Sequence, residues 1–128
     1  MKILIVDDSL MDRKIIAATL KKGGVEHEIL EAQNGEEGLQ TLVKNRGEIG
    51  LILLDWQMPV MDGIEFMEGV VKVPAVASIP IVMISASGSE ENKKQARTVN
   101  PNLAGYVVKP YKPAELMNAV GPFLKKSQ

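Results

Sequence analysis

The sequence predicts a doubly wound α/β domain: a five-stranded parallel sheet in the order 2-1-3-4-5 with helices on both faces. Three observations carry this. Short apolar runs without internal alternation, such as Lys2-Ile3-Leu4-Ile5-Val6, Leu51-Ile52-Leu53-Leu54 and Ile81-Val82-Met83-Ile84, read as parallel strands buried on both faces. Helical patterns separate them. Each run also ends on a polar group: Asp7-Asp8, Asp55, Ser85 and, after Tyr106-Val107-Val108, Lys109-Pro110. In open α/β sheets the functional crevice lies beyond the carboxyl ends of the strands. Three carboxylates, a hydroxyl and an ammonium are therefore predicted to meet on one edge of one sheet.

The elements follow in order. After the first strand, Ser9 and Asp12 stand at capping-box spacing, and Met11, Ile15 and Ala18 or Thr19 are read as the buried face of the first helix, which Gly23-Gly24 stops. A less apolar second strand spans Glu28 to Ala32. Asn34 and Glu37 cap a second helix with Leu39, Leu42 and Val43 inward and Gly47 closing it. The third strand ends at Asp55. Asp62-Gly63 opens a third helix with Ile64, Met67 and Val71 on one face. Pro74 and Pro80 bracket the way to the fourth strand. Glu90 to Arg97 is the weakest helix, with Ala96 and Val99 as its apolar residues. The fifth strand is Gly105 to Lys109, and Pro113 suits the first position of a last helix lined by Leu116, Val120 and Phe123. Gly121-Pro122 is expected to kink or restart that helix, since an interior proline costs about 3 kcal/mol. Lys125-Lys126 is expected to cap it. This order is the flavodoxin-like arrangement.

The bulk numbers exclude several functions. The 128 residues suit one domain, residues 1–128, with a sizeable core. Fifteen basic against sixteen acidic residues, a net charge of −1, removes the driving force of a dedicated nucleic-acid binder. The absence of cysteine excludes disulfides, thiolate metal sites and cysteine catalysis. No apolar run approaches a membrane span and no leader pattern precedes the first strand, so a cytoplasmic protein is expected. The single histidine, His27, sits between Glu26 and Glu28 and is read as a surface residue.

Asp7-Asp8 alone fits an acidic turn capping a helix as well as it fits a metal site; Asp55 on the neighbouring strand favours the metal. Carboxylates this close repel by roughly 1–4 kcal/mol at about 4 Å, so a proton or a cation must intervene. Oxygen donors without cysteine or nearby histidine favour Mg²⁺ or Mn²⁺ over zinc. A carboxylate beside such an ion, at the end of a central strand, can attack phosphorus. Lys109 can serve the phosphoryl oxygens as a point charge and Ser85 can donate its hydroxyl, while small Ala86 leaves room. Taken singly, Asp55, Ser85 and Lys109 also fit a loop cap, a turn residue and a solvated strand end. Trp56 is expected to be half-exposed beside the site.

The segments Val6-Asp7-Asp8-Ser9, Leu54-Asp55-Trp56-Gln57-Met58-Pro59-Val60-Met61-Asp62-Gly63, Ile84-Ser85-Ala86 and Gly105-Tyr106-Val107-Val108-Lys109-Pro110 closely resemble the receiver domain of two-component response regulators, most of all its single-domain chemotaxis-type members. The resemblance implies a phosphorelay switch rather than a conventional enzyme: Asp55 accepts a phosphoryl group from a histidine kinase or phosphotransfer protein, and the domain promotes its own phosphorylation and slow dephosphorylation. It implies Mg²⁺ held by Asp8, Asp55 and the Gln57 backbone carbonyl, with Asp7 acting through water. It implies Ser85 and Lys109 as phosphoryl contacts, Tyr106 as a switch aromatic, a cis bond before Pro110, and a protein partner on the face of the fourth helix, fifth strand and fifth helix. No nucleic acid or membrane partner is expected.

Two other readings compete. A haloacid-dehalogenase-type phosphatase also uses a strand-end aspartate, but its chemistry wants a second carboxylate two residues later, where this chain has Gln57. The chain also fits a receiver fragment of a larger regulator or hybrid kinase.

Overall fold

The computed structural model describes residues 1–124, in which strands and helices alternate without exception. The strands are β1 (Lys2–Val6), β2 (Glu28–Ala32), β3 (Ile49–Leu54), β4 (Ile81–Ser85) and β5 (Gly105–Val108). The helices are α1 (Leu10–Lys22), α2 (Gly35–Lys44), α3 (Gly63–Val71), α4 (Glu90–Val99) and α5 (Pro113–Leu124). All pairings are parallel and the sheet order is β2-β1-β3-β4-β5, as the sequence predicts. The register places Val6 beside Leu54, and Ser85 beside Val108, so the chain leaves these strands toward one common edge.

The two-residue alternation of the strands divides the core. Leu4, Val6, Ile52, Leu54 and Met83 face α2, α3 and α4 through Leu42, Phe66, Met67, Val70 and Ala96. Ile3, Ile5, Leu51, Leu53, Val82 and Ile84 face α1 and α5 through Ile16, Leu20, Leu116 and Val120. The three central strands are apolar on both faces because both faces are covered.

Several expectations are corrected. Helix α1 buries Arg13, Ile16 and Leu20, while Met11 and Ile15 are 66% and 47% exposed. Ile15 and Ile16 are adjacent, so two apolar faces with the same period compete, and packing against Val120 and Leu116 selects the second. In α2 and α3 the outer residues Val43 and Val71 are exposed and Val70 is buried. Helix α4 runs two residues past Arg97, to Val99, and β5 stops at Val108. Helix α2 stops at Lys44 with Asn45 as its C-cap; Gly47, at φ +86°, shapes the turn into β3. Helix α5 does not restart at Gly121-Pro122 but runs as one helix to Leu124. Pro122 is exposed in the last described turn, and Leu116 and Val120 hold the preceding turns in the core. Lys125 and Lys126 lie outside the described residues.

The loop from Trp56 to Asp62 is tightly specified. Gly63 N–H donates to the Trp56 carbonyl at 2.7 Å and Gly35 N–H to the Met61 carbonyl at 2.8 Å. A Cβ at Gly63 would meet the Asp55 carbonyl oxygen at 2.4 Å, so only glycine lets α3 start against the end of β3. Met61 N–H donates to the Pro59 carbonyl across Val60, whose φ is +69°. That is a γ-turn centred on a β-branched residue, a strained conformation. Val60→Asn is expected to stabilise the fold by about 1 kcal/mol, because asparagine tolerates positive φ; urea denaturation showing no gain would place the strain elsewhere.

Candidate functional site

Four strands deliver the site. Asp7 follows β1, Asp55 follows β3, Ser85 ends β4 and Lys109 follows β5. Asp55 N–H continues the sheet ladder by donating to the Val6 carbonyl at 2.9 Å, which fixes the carboxylate beside the acidic pair. Ligand oxygens of Asp7, Asp8 and Asp55 all lie within 4.8 Å of one another. Asp7 and Asp55 are buried and Asp8 is exposed. An oxygen-only set of this charge and spacing fits a hard divalent cation.

Lys109 closes the cluster. Its Nζ lies 3.1 Å from Asp7 Oδ2, 2.8 Å from Asp12 Oδ2 and 3.5 Å from Asp55 Oδ1. Burial works against its charge, but the carboxylates of Asp12, Asp55 and Asp7 outweigh it and hold the ammonium above its usual pKa. Burial, and then the Asp7 carboxylate, push Asp55 up to about 6 despite Lys109 and the Trp56 N–H, which pull it down. Burial and the neighbouring Asp7 carboxylate thus disfavour the ionised form of Asp55.

The rest of the predicted set lies around an open cleft of about 610 Å³ lined by Asp55, Trp56, Gln57, Ser85, Ala86 and Lys109, among others. Trp56 is half-buried and Gln57 exposed. Ser85 Oγ accepts from Ser87 N–H at 3.1 Å. Tyr106 is half-buried; its hydroxyl donates to the Ser87 carbonyl at 2.6 Å, and Lys93 of α4 stands 5.9 Å from its ring centre. Burial raises its phenol pKa against an opposing hydrogen bond with Ser85, so Tyr106, the loop after β4 and α4 form one connected patch. The bond between Lys109 and Pro110 is cis, as expected. His27 lies at the other end of the sheet, before β2.

Two residues have roles that local sequence pattern does not disclose. The spacing of Asp12 from Ser9 accounts only for a capping partnership. Ser9 Oγ does accept from Asp12 N–H at 3.1 Å, but the Asp12 carboxylate goes to Lys109. Arg13, 8% exposed, donates from Nη1 to the Asp7 carbonyl and from Nε to Glu31 Oε1, both at 2.7 Å, tying α1 to the ends of β1 and β2.

Residues 3–121 match the response regulator receiver domain family. The chain belongs to that family. The receiver is 36% identical over 125 residues to the phosphate regulon transcriptional regulatory protein PhoB of Pseudomonas aeruginosa, covering 98% of this chain and 52% of PhoB. It therefore spans about half the length of that relative. It is 35% identical over 116 residues to a chemotaxis protein CheY homolog of Campylobacter jejuni, covering 91% of this chain and 86% of the homolog. Among solved structures, Vibrio cholerae CheY4 superposes with a TM-score of 0.83 at 33% identity, covering 96% of the receiver and 98% of CheY4. Borrelia burgdorferi CheY, solved as a CheX-CheY-BeF3-Mg²⁺ complex, gives 0.86 at 27% identity over 98% and 90% of the two chains. The receiver is accordingly a signalling switch of two-component type, with CheY-like architecture, and the phosphatase reading is not favoured. Receivers take their signal from histidine kinases and bind Mg²⁺ at an acidic pocket, and the Asp7, Asp8 and Asp55 cluster is a pocket of that kind.

Proposed function

We propose that residues 1–128 act as one receiver domain, of chemotaxis type, whose phosphoacceptor is Asp55. The observation that carries this is the juxtaposition of the Asp55 carboxylate with two further aspartates and, at 3.5 Å, the Lys109 ammonium, all at the carboxyl edge of the sheet. The donor is a phosphohistidine on a kinase or phosphotransfer protein. A carboxylate oxygen of Asp55 forms the new bond to phosphorus as the bond from phosphorus to the histidine nitrogen breaks and its electron pair stays on the imidazole. Asp8, Asp55 and the Gln57 carbonyl would hold Mg²⁺ directly, with Asp7 acting through water. When bound, Mg²⁺ supplies charge neutralisation for the acceptor and the transferring group.

This chain's own groups do the remaining work. Lys109 meets the phosphoryl oxygens as a point charge, and Ser85 donates its hydroxyl to them. Catalysis here is positioning plus electrostatics, which supports self-phosphorylation and slow hydrolysis but no turnover of an external substrate. Drawing Ser85 and its loop toward the phosphoryl group frees Tyr106 from the Ser87 carbonyl, and the ring moves inward. The face of α4, β5 and α5 then changes for a downstream protein partner. A ligand can shift such an equilibrium only by its differential contacts with the two states. The setting is cytoplasmic; no helix among the described residues is long and apolar enough to cross a membrane.

Intact-mass measurement after incubation with acetyl phosphate and Mg²⁺ tests the reading. The expected result is a gain of one acid- and base-labile phosphoryl group that requires the cation. No gain, or the same gain in chelator, would remove Asp55 from the role.

A further inference from the structure

Lys109 has three N–H donors and three carboxylates take them, the closest being Asp12 at 2.8 Å. Asp12 is an unplanned participant. It stands at the third position of α1, where capping-box spacing would turn its carboxylate back to the Ser9 N–H. That N–H donates instead to Asp7 Oδ1, at 2.9 Å. The Asp12 carboxylate is left to reach Lys109, 97 residues away in sequence, at the wall of the cleft.

A phosphoryl group arriving on Asp55 needs at least one of the lysine's donors. Asp7, with its side chain 2% exposed, is fixed by Ser9 N–H, and Asp55 is the acceptor itself. Asp12, at 37% exposed, is the partner that water can most readily take over. We propose that Asp12 is a positioning residue that holds Lys109 in the unphosphorylated receiver and competes with the incoming phosphoryl group for it, so that Asp12 sets how fast Asp55 is charged. This rests on Asp55 as acceptor and Lys109 as phosphoryl contact. In the reaction with acetyl phosphate the bond from phosphorus to the acetyl oxygen breaks, its electron pair leaves on acetate, and an Asp55 oxygen bonds phosphorus; Asp12 exchanges no proton.

The test compares phosphorylation rates by acetyl phosphate and Mg²⁺ in the wild type, Asp12→Asn, Asp12→Ala and Asp12→Glu, followed by intact mass and Trp56 fluorescence. Asn and Ala are expected to react up to about fivefold faster, the size of a half-exposed ion pair. Glu is expected to restore the slow rate. The advantage of Asn is expected to persist at about 0.5 M salt, because a contact pair is screened less than long-range repulsion of the anionic donor. Equal or slower rates in Asn and Ala, a fast Glu variant, or an advantage that vanishes with salt each overturn the role of Asp12. A labelled wild type with an unchanged Asn variant removes Asp12 alone; an unlabelled wild type removes the Asp55 assignment with it.

Discussion

Asp55→Asn is expected to abolish phosphate incorporation and, in the same protein, to raise stability at neutral pH. The first effect follows from loss of the nucleophile. The second follows from the crowding of the site. The Asp55 carboxyl is held near 6 against an ordinary 3.8, chiefly by burial and then by Asp7. Below about pH 4 the group is protonated in both folded and unfolded chains and contributes no difference. Between the two values the folded protein binds the proton that the unfolded chain has released, so wild-type stability falls as pH rises. By pH 7 in chelator the wild type carries a penalty of about 2–3 kcal/mol that asparagine lacks. Denaturation series from pH 4 to pH 7 should show the gap opening over that window, and added Mg²⁺ should narrow it by stabilising only the wild type. A labelled mutant, or a gap independent of pH, contradicts the assignment.

Lys109→Ala is expected to weaken beryllofluoride binding in the presence of Mg²⁺ by about 10- to 100-fold, the worth of a charge-assisted hydrogen bond. Its side chain is 19% exposed and is the described cation in contact with Asp7 and Asp55, whose side chains are 2% and 11% exposed. Removing it leaves two buried carboxylates facing each other and a phosphoryl group with one fewer donor. Under the proposed roles Lys109 seats the phosphoryl group toward which Ser85 and its loop are drawn, so the variant should also fail to pass the event outward to Tyr106. Trp56 fluorescence reads the binding and Tyr106 ring resonances read the coupling. Wild-type affinity, or a wild-type Tyr106 shift at saturation, would count against the role.

The sheet and the main site were legible in the sequence for a common reason. Strands covered on both faces are written as unbroken apolar runs, and the residue that ends such a run faces the crevice, so Asp7, Asp55, Ser85 and Lys109 announce themselves by position. The first helix was not legible in the same way. Met11 and Ile15 repeat at helical spacing as well as Ile16 and Leu20 do, and only the packing of Val120 and Leu116 separates them. Arg13 reads as a surface charge until Asp7 and Glu31 are seen to satisfy it. Asp12 carries two local explanations, cap partner and helix-dipole charge, and the partner of its carboxylate, Lys109, lies at the far end of the chain. Gly121-Pro122 reads as a break because propensity counts the lost hydrogen bond but not the packing of the turns before it.

The position of β3 and β5 in the sheet has a consequence for amide hydrogen exchange. β3 pairs on both sides, while β5, four residues long, pairs only with β4. Asp55 thus grows from an interior strand tied on both sides, and Tyr106 rides one of the two margins. Deuterium should enter β5 well before β3. Activation should alter protection along β5 and α4 while β3 stays silent, as expected of an anchored lever whose free arm alone swings.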